Sequence, residues 1–190
     1  MNCIVLIAAP AAGKGTISKY ISDNYNFDHI STGDLLREEV SLKTETGLKI
    51  EKLLSKGELV SDEIVYKVLE RKLSNIDKDF ILDGIPRNLS QAENLDGILS
   101  KYDIKISKKI FIDIDKEIAM SRMIERSKKE GREDDNISAY NNRYKVFEEN
   151  TIPLLIYYTD FNKIDNNGTL DQLYKQIDEL FKGDEKNGDL

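Results

Sequence analysis

Residues 4–16 read IVLIAAPAAGKGT, and their reading decides the fold. Ile4 to Ala8 is a continuous apolar run suited to a strand covered on both faces. A turn of small residues containing Gly13 follows, and a helical pattern runs from there to about Tyr25. Further out, Phe27–Ser31, Phe80–Leu82, Lys109–Ile114 and, more weakly, Asn162–Asp165 read as strands. Helical patterns separate them, clearest over Lys116–Lys128 and Ser138–Tyr158. Such alternation predicts an α/β fold, a parallel sheet flanked by helices with right-handed crossovers. From Thr32 to about Ser74 the alternation lapses: Gly33–Val40, Glu45–Ser55 and Asp62–Leu73 are all helical in pattern with no strand between, which predicts a helical insertion.

The chain has 190 residues, 28 Lys+Arg against 35 Asp+Glu, and a formal net charge of −7. One domain is expected, and the acidic balance argues against a nucleic acid partner held by a general positive field while leaving room for a local anion site. The single cysteine, Cys3, has no intrachain partner, and no secretory pattern opens the chain, so a cytoplasmic location is expected. Cys3 to Ala12, the longest apolar stretch, is too short to span a bilayer, so no membrane partner is expected. Arginine is scarce beside lysine, which makes Arg37, Arg71, Arg87, Arg122, Arg126, Arg132 and Arg143 candidates for planar, bidentate work. Arg71 has no assignable role. His29, the only histidine, lacks metal-ligand spacing and reads as structural. Ser127–Asn136 is wholly polar and predicts an exposed loop, and Gly183–Leu190 predicts a frayed tail.

A phosphate chain calls for inward backbone N–H groups, a helix N-terminus and a mobile ammonium. Gly13, Lys14 and Gly15 can supply these after a buried strand. The match to GxxxxGK[ST] is incomplete, since Ala8 stands at the first glycine and Gly15 follows the lysine. Thr32-Gly33-Asp34 opens a helix, with Ser31 or Thr32 as cap and Asp34 in its first turn, and Arg37 lies one turn beyond Gly33. Asp83-Gly84-Ile85-Pro86-Arg87 follows the third strand at the carboxyl edge, where open α/β sheets bind ligands. A carboxylate there needs a partner, and nucleotide-bound Mg²⁺, directly or through water, would serve. Arg122, Arg126, Arg132 and Arg143 make sense together as a clamp around an oligophosphate; each alone would be a surface ion pair.

These residues resemble the adenylate kinase family: AAPAAGKGT (8–16), ISTGDLLR (30–37), GELVSDE (57–63), ILDGIPRNLSQAENL (81–95), GREDDN (131–136), Arg143 and IPLLIYY (152–158) occur in order over nearly the whole chain. The resemblance implies a P-loop NTPase core with a five-stranded parallel sheet (1–30, 62–126, 138–182), a helical NMP-binding insertion (31–61), a short lid (127–137) without a zinc site, and a monomer. It implies that Lys14 and the backbone of Ala11, Ala12, Gly13, Gly15 and Thr16 hold ATP phosphates, with Arg122, Arg126 and the backbone of Gly168 also on ATP. AMP would be held by Thr32, Arg37, the backbone of Glu58, Leu59 and Val60, the Gly84-Ile85-Pro86-Arg87 turn and Gln91. Asp83 would help place Mg²⁺, and Arg126, Arg132 and Arg143 would close on the phosphates. The reaction implied is ATP + AMP ⇌ 2 ADP without a covalent intermediate.

The side-chain amide of Gln91 suits the N6/N1 edge of adenine, and UMP/CMP kinases, the alternative within this class, more often carry Asn there and Ala at the position of Thr32. Ala8 and Ala11 replace glycines of the family loop, at a cost wherever φ must be positive. A nucleotide sensor that binds without transfer is the second alternative, resting on that altered loop. Ile85 in place of an aromatic residue and Ser61 in place of Pro or Thr read as packing or turn changes. Gly33, Gly57 and Gly131 fall near the expected hinges.

Overall fold

Strands β1 (Asn2–Ala8), β2 (Asp28–Ser31), β3 (Phe80–Asp83), β4 (Lys105–Asp113) and β5 (Asn162–Asp165) lie parallel in one sheet ordered β2-β3-β1-β4-β5. The structure, a computed structural model, describes residues 1–130 and 136–185. Central β1 is covered on both faces, and Cys3 to Ile7 are at most 2% exposed, which is why the run carries no alternation. Helices α1 (Lys14–Tyr25), α5 (Leu89–Ser100), α6 (Lys116–Glu130), α7 (Ile137–Val146), α8 (Leu154–Tyr157) and α9 (Leu170–Glu185) belong to this core. Helices α2 (Thr32–Ser41), α3 (Glu45–Lys56) and α4 (Asp62–Leu73) follow β2 without an intervening strand, as the sequence predicts.

Apart from shifts of one or two residues at element ends, three boundaries differ from the sequence reading. β4 begins at Lys105, where exposed Lys105 and Ser107 alternate with half-buried Ile106 and Lys108; its register against β1 shifts between Cys3/Ile4, and the Ser107 hydroxyl donates to the Cys3 carbonyl at 3.3 Å. The long pattern Ser138–Tyr158 is not one helix. It passes from α7 through a π-helical turn, Phe147–Thr151, to Pro153, which has no N–H to continue a helical ladder, and then to α8. Helix α9 continues to Glu185, three residues into the segment expected to fray, and residues 186–190 lie outside the described residues.

The insertion is tied internally and to the core. Ser31 caps α2 by accepting from the Asp34 N–H at 3.2 Å, and Thr44 caps α3 by accepting from the Gly47 N–H at 2.9 Å. A Cβ on Gly47 would collide with the Glu39 carbonyl, so α2 and α3 meet backbone to backbone. Arg71, silent in the sequence, reaches from α4 to Glu39 on α2. Glu39 is only 2% exposed, and the Thr44 hydroxyl and the Arg71 guanidinium hold its carboxyl below the usual range against the opposing effect of burial.

Candidate active site

Parallel pairing sets Asp83 beside Leu6 of β1 and Ser31 of β2, so three strand ends open on one cleft of about 680 Å³. The 8–16 loop forms its floor. Gly13, in the left-handed region at φ 88°, is the residue before α1, and no side chain caps that helix, leaving its first N–H groups to the cleft. Ala11 is also left-handed, at φ 59°, whereas Ala8 lies in β1. Only one of the two alanines that replace glycine therefore stands where glycine is favoured. Lys14 rests with Nζ 3.4 Å from the Ala9 carbonyl and 3.9 Å from Asp83 Oδ1.

Asp83 closes β3 with its side chain 10% exposed. Burial raises its pKa, but Lys14, His29 and Arg87 outweigh burial and hold the carboxyl below the usual range. His29, read as structural, lines the cleft with Nε2 3.5 Å from Asp83 Oδ2. At φ 90°, a Cβ on Gly84 would stand 2.5 Å from Thr32 Oγ1, so the turn packs directly on Thr32, whose hydroxyl donates to the Asp83 carbonyl at 3.2 Å. Ile85 is fully buried and does not line the cleft, while Pro86 does. Arg87 is held from three sides: Nε donates to the Gly84 carbonyl at 2.7 Å, its N–H donates to Gln91 Oε1 at 2.7 Å, and its carbonyl accepts from the Thr151 hydroxyl at 2.8 Å.

Across the cleft, Arg37 lies on α2 beside Asp34, and Glu58, Leu59 and Val60 follow the left-handed C-cap Gly57 of α3. Arg122 and Arg126 enter from α6 and Arg143 from α7. Ala12, Gly15 and Thr16 also line it, but Gly168 does not and instead lies against Gln172. Gly131, Arg132 and the rest of the lid's middle, residues 131–135, lie outside the described residues. In a chain of net charge −7, cations are concentrated here. Burial, and then the charges of Arg87, Arg126 and Arg143, lower the Lys14 pKa against the pull of Asp83. Burial, and then Arg143 and Arg37, likewise lower that of Arg87, again opposed by Asp83. Gathering like charges is unfavourable in the free protein and becomes favourable when a polyanion enters.

Two residues of the site carried no signal in the sequence reading. Buried Asn166, just after β5, donates from Nδ2 to the Ala12 carbonyl at 2.7 Å and buttresses the loop beneath Gly13. Thr151 supports Arg87 from the π-helical turn. Both act across more than sixty residues of chain, and only a family-wide pattern at those positions could have marked them.

A family model described as "Adenylate kinase" matches residues 6–163. The chain is similar to the adenylate kinase of Xanthomonas campestris pv. campestris, 40% identical over 179 residues that cover 92% of this chain and 96% of that protein. It is also similar to the adenylate kinase of Prochlorococcus marinus, 44% identical over 157 residues that cover 83% of this chain and 84% of that one.

Proposed function

The chain belongs to the adenylate kinase family, and from that footing we propose that its cleft passes the terminal phosphoryl group of Mg²⁺-bound ATP to AMP in the reversible reaction ATP + AMP ⇌ 2 ADP. The observation that carries this reading is the convergence of Lys14, Arg87, Arg126 and Arg143 on one cleft, above an uncapped helix N-terminus and beside Asp83, whose carboxyl is held below the usual range.

In this reading the 11–16 backbone and Lys14 hold the ATP phosphates, with Arg122 and Arg126 alongside. Thr32, Arg37, residues 58–60, Arg87 and Gln91 hold AMP. An oxygen of the AMP phosphate attacks the γ-phosphorus in line as the bond to the bridging oxygen breaks, and ADP leaves from each side. The protein contributes position and fixed positive charge; Lys14 can leave the Ala9 carbonyl to follow the transferred group, and Arg87, anchored through its main chain and Nε, keeps its remaining N–H groups for equatorial oxygens. Asp83 fits Mg²⁺, because a low-pKa carboxylate is the hard oxygen donor that this ion takes beside nucleotide phosphates. When bound, Mg²⁺ neutralises developing charge on the phosphates. Arg132 and the 127–137 lid would complete the enclosure and exclude water, which would otherwise accept the phosphoryl group. The insertion 31–61 would close on AMP. We read the protein as a cytoplasmic monomer acting on free nucleotides. No helix among the described residues is long and apolar enough to cross a membrane.

The test is ADP formation from ATP and Mg²⁺ with AMP, CMP, UMP or GMP in parallel, with calorimetric ATP binding on the same sample. Turnover largely confined to AMP is expected. A folded sample that binds ATP and turns over no acceptor would overturn the proposal in favour of a nucleotide sensor, and turnover centred on CMP or UMP would overturn the choice of AMP.

A further inference from the structure

Gln91 meets the cleft with its amide held at both ends. Oε1 accepts from the Arg87 N–H at 2.7 Å, and Nε2 donates to Asp62 Oδ1 at 2.7 Å. The partners dictate which end is which, because a main-chain N–H only donates and a carboxylate only accepts. Turned over by 180°, the amide would set N–H against N–H and oxygen against carboxylate, in a residue that is 2% exposed. Asp62 is itself fixed. It is the first residue of α4, and its Oδ1 also accepts from Asn88 Nδ2 at 3.3 Å. Asn88 has no freedom to turn, since its Oδ1 caps α5 by accepting from the Gln91 N–H at 2.8 Å.

An amide has two N–H groups and two oxygen lone pairs, and these contacts use one of each. One donor and one acceptor remain, in a fixed order. A freely turning amide would satisfy a 6-aminopurine, which offers a donor at N6 and an acceptor at N1, as well as a 6-oxopurine, which offers the reverse. A held amide matches only one order. We propose that Asp62 is a specificity-determining positioning residue: by locking the Gln91 amide through Nε2, it makes the acceptor site take a 6-aminopurine monophosphate and refuse its 6-oxo counterpart. This rests on reading Gln91 as part of the AMP site.

The experiment compares kcat/KM for AMP and inosine monophosphate, which differ only at the N1 and C6 edge, in the wild type and in Asp62→Asn and Asp62→Ala. An alanine at 62 removes the acceptor and leaves the amide held by the Arg87 N–H alone, whereas an asparagine, its oxygen turned to Asn88 Nδ2, keeps an acceptor for Gln91 Nε2 without the charge. The AMP-to-IMP ratio should fall by about tenfold or more in Asp62→Ala, the size expected for losing a hydrogen bond to a charged group, and by less in Asp62→Asn. The change should fall on the acceptor KM, with ATP KM and thermal midpoint near wild type. Rates for both acceptors falling together at an unchanged ratio would overturn the lock while leaving the AMP reading intact. A wild type that uses CMP or UMP as readily as AMP would instead overturn that reading and the lock with it. Should both variants misfold, side-chain NMR of the wild type decides: Gln91 NH₂ protons should exchange more slowly than those of exposed Gln172, and equal exchange would overturn the proposal.

Discussion

Restoring glycine at the two alanines of the phosphate loop should change stability in opposite directions. Ala11 sits at φ 59°, where an L-residue costs roughly 1–2 kcal/mol, so Ala11→Gly relieves that strain. Glycine adds an unfolded-state entropy cost of about 0.5–1 kcal/mol, which leaves a net gain of about 0.5–1 kcal/mol. Ala8 lies in β1 with no strain to relieve, so Ala8→Gly should lose about 0.5–1 kcal/mol. Each change deletes one partly buried methyl packed on the core, so that loss largely cancels between the variants. They should differ by about 1.5 kcal/mol, or about 5 °C in Tm for a domain of this size. Urea unfolding and thermal scans of nucleotide-free protein measure this directly. A destabilised Ala11→Gly, or two variants shifted equally, would show that backbone strain at position 11 is not what distinguishes them.

Other perturbations follow from the same geometry. Arg87→Ala should lower kcat/KM by at least about a hundredfold with the fold retained by circular dichroism, and near-normal turnover would remove Arg87 from the phosphate clamp. Thr151→Val takes away the hydroxyl that fixes the Arg87 carbonyl; kcat should fall more than either KM, Thr151→Ser should restore it, and equal losses in the two variants would count against the contact. Glu39 has a folded pKa below its unfolded value, so the stability it adds is complete above the usual Glu range and ebbs as pH falls through that range toward the folded value. Arg71→Met should flatten this acid limb, and urea midpoints between about pH 3 and pH 6 that stay parallel to wild type would refute the pairing.

What the sequence revealed and what it hid divide by the range of the interaction. The β1 run, the loop after it and the Thr32 and Asp83 turns are local patterns, and each lies where it was expected. Arg71 was opaque because its partner Glu39 lies on another helix, and a buried glutamate looks like any surface glutamate until its neighbours are placed. The π-helical turn was invisible because helical periodicity carries on through Phe147–Thr151 while the hydrogen bonding does not. Lys105–Lys108 concealed the start of β4 because an exposed sheet rim tolerates the lysines of a loop. Gln91 was legible as a residue type, but its orientation, the part that bears on base choice, depends on Asp62 in a different helix.

Gly47 gives the insertion a mechanical character. With the backbones of α2 and α3 in direct contact at Gly47, the pair can bend little there without breaking that contact, while Arg71 ties α2 to α4 on the core side. It acts as a stiff plank rather than a flexible flap. Any swing over a bound nucleotide is then concentrated at its two edges, near Ser31 and at the left-handed Gly57, and the Arg71–Glu39 pair, which crosses from α2 to α4 beyond that second pivot, is the tether that such a swing must stretch.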